Sequence, residues 1–150
     1  YALVFALNGV GIIGGSMLNA RLIGRLPTHR ILLTGLGIQL VAGVLLVVTM
    51  LLHPTVWLIL PLLFLAIAQN GIVMGNSTAL GTGLVRARSG SASALMGFAQ
   101  FGIAGLVSPL MGLGGNPGLT MAVGMVACSL VATAGALYAG RATAAPTSAS

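Results

Sequence analysis

The chain has 150 residues, of which 57% are hydrophobic and only 4% charged, and its mean hydropathy is +1.11. A soluble domain devotes about 25% of its residues to charge, so this composition excludes a water-covered globule and leaves an integral membrane protein. All the charge is six arginines, a formal +6 with no Asp, Glu or Lys, which excludes paired carboxylates for acid–base catalysis, carboxylate metal sites and an acidic proton carrier within the chain.

A bilayer core about 30 Å thick takes roughly 20 apolar residues per helix, and five runs are long enough. The first, Tyr1 to Leu18, has neither the basic region nor the small-residue cleavage motif of a signal peptide. Its apolar pattern is already under way at Tyr1, so the chain is expected to begin within a longer protein. Asn8, Gly11, Gly15 and Asn19 share one small and polar face of this helix. The loop NARLIGRLPTHR, Asn19 to Arg30, follows with Arg21, Arg25, His29 and Arg30.

The second run, Ile31 to Leu52, has few polar groups apart from Gln39 and is expected to face lipid or to serve as an outer packing helix. His53 and Pro54 end it in a tight turn, because proline cannot continue a helix. The third run extends from Val56 to about Leu80. At about 100° per residue Gln69, Asn70, Val73, Asn76, Ser77 and Leu80 fall within a stripe of about 120°, which should point away from lipid. Pro61 is expected to kink this span.

Between Gly81 and Gly90 lie Arg86 and Arg88. The fourth run, Ser91 to Leu113, carries a comparable stripe of Ser93, Met96, Gly97, Gln100, Ala104, Val107 and Met111, with Pro109 as a second kink. GGNPG, Gly114 to Gly118, is a tight turn. The fifth run, Leu119 to Ala139, is mostly Gly, Ala, Val and Met and reads as a second support helix. Residues 1–140 thus form one transmembrane helical unit, and 141–150, small and polar, a disordered tail.

With five spans the three arginine-bearing segments fall on one side, which the positive-inside bias makes the cytoplasm. The N-terminus is then outside and the C-terminus inside. Trp57, Tyr1 and Tyr138 sit at span ends, where amphipathic rings prefer headgroup depth. Arg21, Arg25, Arg30, Arg86 and Arg88 anchor the cytoplasmic loops, each worth about 1 kcal/mol near an anionic leaflet, so membrane lipid is the expected counter-charge. Nucleic acid is not an expected partner, because the arginines are scattered between apolar segments.

Cys128, the single cysteine, cannot form an intrachain disulfide or a cysteine-based metal cluster. Both histidines lie in loops or turns, no serine is flanked by a base, and no glycine-rich loop follows a strand to hold phosphate. Neither an enzyme nor a cofactor is expected. The polar stripes keep two readings open: interhelical hydrogen bonds, averaging about 0.6 kcal/mol each in membranes, or the lining of a solute cavity. Gly11 with Gly15 and Gly71 with Gly75 are spaced for close backbone approach.

Two stretches, FALNGVGIIGGSMLNARLIGRL (Phe5 to Leu26) and GSASALMGFAQFGIAGLVSPL (Gly90 to Leu110), resemble the C-terminal half of Bcr/CflA-type drug-resistance transporters of the major facilitator superfamily. The second stretch is the more specific. The resemblance covers all five spans and implies an all-α integral membrane bundle equivalent to helices 8 to 12 of a twelve-helix fold. Gly15 through Arg30 takes the place of a degenerate copy of the family's signature cytoplasmic loop, here with Asn19 and no acid, which argues against a charge-relay gate.

The resemblance implies multidrug efflux: export of small amphipathic compounds by alternating access, in exchange for protons, across the bacterial inner membrane. By that analogy Asn8, Gln69, Asn70, Asn76, Met96 and Gln100 line the substrate cavity, and methionine walls repack around varied ligands. The proton-coupling acids would belong to a missing N-terminal half. Because such sites lie between two halves that rock against each other, the five spans alone are not expected to transport. Alternatives are a non-transporting fragment, an assembly subunit paired with a separately encoded partner, or a small homo-oligomeric exporter, for which an odd span number is awkward.

Overall fold

The computed structural model describes residues 2–83, 88–112 and 115–144. Tyr1, Arg86, Leu113, Gly114 and the tail from residue 145, all subjects of sequence expectations, lie outside the described residues. The helices are α1 (Ala2–Leu22), α2 (Thr28–Leu52), α3 (Val56–Ala68), α4 (Asn70–Gly83), α5 (Ser89–Gly112) and α6 (Pro117–Ala144). Five segments are long and apolar enough to cross a membrane, with Val56–Gly83 counting as one. The fold is an all-α, multi-pass membrane bundle.

The helices outrun the apolar runs at most ends. Helix α1 continues through Leu22 rather than ending at Leu18, and α2 starts at Thr28. The expected twelve-residue loop therefore shrinks to a turn in which Arg25 and Leu26 both donate backbone bonds to the Leu22 carbonyl, at 3.0 and 3.1 Å, and Gly24 takes a φ of 91°. Arg21 belongs to the last turn of α1, where a cation meets the negative end of the helix dipole. A helix satisfies its own backbone bonds, so nothing forces it to stop where side chains turn polar.

At the opposite end Asn116 caps α6. Its Oδ1 accepts from the Leu119 amide at 3.2 Å, and Pro117 occupies the first helical position, where its missing N–H is no loss. The far end of α6 corrects an expectation: residues 141–144, assigned to a disordered tail, continue the helix.

Helix α2 corrects another. Expected on the outside, it is the hub of the bundle, packing on α6, α3 and α4. Ile31, Leu32, Gly35, Leu36, Ala42, Gly43 and Leu46 are all buried. Gly35 is seated against Ile72 and Val73, and Gly43 against Val126. Helix α6 runs antiparallel to α2 along its length, with Gly118 beside Met50, Val126 beside Gly43 and Gly140 beside His29. Apolar side chains are as content in lipid as against protein, so an all-apolar run does not reveal which face is covered; small residues at spacings of three and four do.

Sequence neighbours α1 and α2 are wedged apart by the third span. Gln69 and Ile72 project into a small cavity of about 160 Å³ between Leu18 and Leu22 on one side and Ile31 and Gly35 on the other. Helix α5 is the least engaged element, touching α4 and α6 without burying a residue.

Candidate functional site

The site is built on the third span and its two neighbours, α1 and α5. Helix α1 runs parallel to the third span and crosses it backbone to backbone. A Cβ on Gly15 would collide with the Ala68 carbonyl oxygen, and one on Gly71 with the Ile12 carbonyl oxygen, so both positions admit only glycine. The span breaks at this crossing: Gln69 separates α3 from α4, and the Ile72 amide turns to the Gln69 carbonyl at 3.0 Å, three residues back rather than four. Pro61, eight residues earlier, lies within α3 without ending it.

Below the crossing two amides close the contact. Asn76 Nδ2 donates to Asn19 Oδ1 at 2.6 Å and to the Ile72 carbonyl at 2.8 Å. Asn76 is 0% exposed and Asn19 only 6%. Ser16 Oγ adds a longer bond to the Gly71 carbonyl at 3.4 Å. The polar face of α1 and part of the polar stripe of α4 thus meet each other.

The open face of α4 turns to α5. A cleft of about 490 Å³ lies between them, bordered by Met74, Ser77, Thr78, Met96, Gln100 and Phe101 among others, a size usual for small-molecule sites. Of the two α4 hydroxyls that border it, Ser77 Oγ donates to its own Met74 carbonyl at 3.1 Å. Gln100 is exposed there, and Met96 is half-buried with its sulfur against Gly81. Amide, hydroxyls, thioethers and a ring together can bind an amphipathic solute through few directed bonds and much adaptable apolar contact.

Of the six residues expected to line one cavity, the structure brings only Met96 and Gln100 together at this cleft. Asn76 is enclosed against α1 and does not face it. Gln69 is buried on the α1–α2 side, with its Oε1 unpartnered among the described residues. Asn70 is exposed at the start of α4, Asn8 is half-buried on α1, and neither borders the cleft. The stripe divides because two neighbours share it, α1 taking Asn76 and α5 taking Ser77. Met74, Thr78 and Phe101 were not anticipated; their periodicity with Ser77 and Gln100 was available, but only the position of α5 selects that face.

The described arginines gather at one end of the bundle. Arg21 and Arg25 follow Asn19 at the end of α1, Arg30 opens α2, Arg88 directly precedes α5 and Arg141 closes α6. His29, Gly81 and Ala139 border a common pocket at that end, so α2, α4 and α6 bring it together. Trp57 and Tyr138, both strongly exposed, lie near opposite ends, as interfacial aromatics do.

The chain is 28% identical over 132 residues to the uncharacterized MFS-type transporter YdgK of Bacillus subtilis (strain 168). The match takes in 87% of this chain but 33% of that protein, so the chain spans about a third of its relative's length. No family model matches the chain, and no solved structure matches it.

Proposed function

We propose that the chain is the C-terminal part, helices 8 to 12, of a Bcr/CflA-type transporter of the major facilitator superfamily, and that the whole protein exports small drug-like amphipathic compounds in exchange for protons. The observation that carries this reading is the cleft between α4 and α5, bordered by Ser77, Met96 and Gln100. Its far wall, α5, packs on α4 and α6 without burying a residue. The similarity to an MFS-type transporter over nearly the whole chain supports the same reading. In such folds the solute is enclosed between two rocking halves, so this cleft is half of a site and the N-terminal half supplies the rest, the proton-coupling acids included.

In this reading the Asn19–Asn76 clasp and the glycine crossing fix α4, so that motion of α5 changes the cleft without disturbing its inner wall. Asn8, Gln69 and Asn70 contribute to the path only where the other half meets them. The arginine end faces the cytoplasm of a bacterial inner membrane, with the C-terminus inside.

The test is efflux of a fluorescent amphipathic compound from cells expressing this chain joined to an N-terminal transmembrane half, with Ser77→Ala, Met96→Ala and Gln100→Ala measured singly at matched expression. Each is expected to raise KM several-fold, and collapsing the proton gradient to stop export. Unchanged kinetics in all three would refute the cleft as the site. Retained efflux without a proton gradient would refute the coupling alone.

A further inference from the structure

A second cavity, separate in chemistry from the α4–α5 cleft, lies between α2, α4 and α6. It measures about 400 Å³. Leu32, Leu36, Val73 and Leu80 form one wall, and Ala132, Gly135, Ala136 and Ala139 of α6 the other. Among the described residues Ser77 is the single hydroxyl on it, and that hydroxyl is already given to the Met74 carbonyl. At 1.5 Å of rise per residue the stretch Ala132 to Ala139 makes the slot about 10 Å deep along the bundle, most of one leaflet of a hydrocarbon core about 30 Å thick.

Its polar character is confined to one end. His29 stands at the mouth with its ring against Gly140. Arg30 follows His29 on α2, Arg141 follows Gly140 on α6, and both are exposed. The mouth is also the N-terminus of α2, a 25-residue helix whose Pro27 cap makes no side-chain hydrogen bond and whose first turn holds no acid. The chain has no Asp or Glu side chain to neutralise this rim. A small-molecule site orients its ligand with a few polar groups placed within the pocket; below its mouth this slot offers only the engaged Ser77 hydroxyl, and a greasy slot beneath a cationic mouth at headgroup depth suits a linear amphiphile with an anionic head.

We propose that this slot holds one acyl chain of an anionic phospholipid, whose phosphate is met by Arg30 and Arg141 beside His29. Charge complementarity selects the headgroup, and the small residues of α6 make room for the chain. A lipid so held ties α6 to α2 and α4 at the arginine end. The slot touches Ser77 from the side away from the α4–α5 cleft and shares neither Met96 nor Gln100 with it, and its rim of Arg30, Arg141 and His29 takes no part in the transport reading.

The test is retention of lipid by the purified 150-residue chain in mild detergent, read by native mass spectrometry, with phosphatidylglycerol and phosphatidylcholine of identical acyl chains as probes. One phosphatidylglycerol per chain is expected, bound at least tenfold better than phosphatidylcholine. The Arg30→Gln/Arg141→Gln double variant is expected to lose about tenfold, close to 1.4 kcal/mol. Gly135→Leu fills the slot from a position where a new Cβ meets nothing within 4 Å, so the helix tolerates it; it should lose the lipid as well. Gly105→Leu on α5, equally open but away from the slot, should not. Equal retention of the two lipids, full retention by Gly135→Leu, or displacement by glycerol 3-phosphate at the same concentration would overturn the proposal, the last by showing a bare phosphate site.

Discussion

Gly71→Ala tests the backbone crossing on which the α1–α4 contact depends. The added methyl would collide with the Ile12 carbonyl oxygen and stand 2.8 Å from the Ser16 nitrogen and 2.9 Å from its Oγ. Two of those three atoms are backbone, so no side-chain rotation relieves the clash. Helix α1 must instead retreat by about an ångström, and a gap of that size forfeits roughly a quarter to a half of the dispersion attraction across the contact. The retreat also stretches the Ser16–Gly71 and Asn19–Asn76 bonds. Overpacking of this kind costs about 1–3 kcal/mol, and the lost interhelical bonds add about 0.6 kcal/mol each, so a destabilisation near 3 kcal/mol is expected. The assay is reversible unfolding of the purified chain in mixed micelles of dodecyl maltoside and SDS, followed by circular dichroism. Gly105→Ala on α5, where a Cβ meets nothing within 4 Å, is the control and should be neutral or stabilised by up to about 1 kcal/mol. If the two variants unfold within about 0.5 kcal/mol of each other, the scatter usual for surface changes, the close crossing is not there.

The amide clasp is open to a double-mutant cycle: Asn19→Ala and Asn76→Ala should couple by about 0.6–1.7 kcal/mol, and additivity within about 0.3 kcal/mol would show that the two side chains do not interact. Asn116→Ala removes the cap of α6 and should lower stability by about 1 kcal/mol in the same micelle assay; a variant as stable as the parent would remove Asn116 from that role. For topology, Cys128→Ser followed by single cysteines at positions 25 and 116 should give labelling from opposite faces of sealed vesicles, position 25 from the cytoplasmic face. Both sites reacting from one face would refute an odd number of crossings between them.

Composition alone settled the solvent: a chain 57% hydrophobic and 4% charged has to bury its surface in lipid, where only helices and closed barrels satisfy the backbone, and apolar runs of about 20 residues without barrel-type alternation are helices. The number of spans followed from run length, and two of the breaks between them from the turn residues of His53 and Pro54 and of GGNPG, although Pro61 and Pro109 lie inside helices without ending them. The small face of α1 was legible too, because Gly11, Gly15 and Asn19 keep their spacing in any fold. Their partner was not legible. Tertiary structure set the third span, rather than α2, against α1, made α2 the buried hub, and divided the polar stripe so that Asn76 met Asn19 while Ser77 met the cleft. In a bilayer the exposed and the buried faces of a helix are equally apolar, so the pattern that marks a core in water carries no signal here, and contacts between distant helices are fixed by shape: a glycine opposite a carbonyl, an amide opposite an amide.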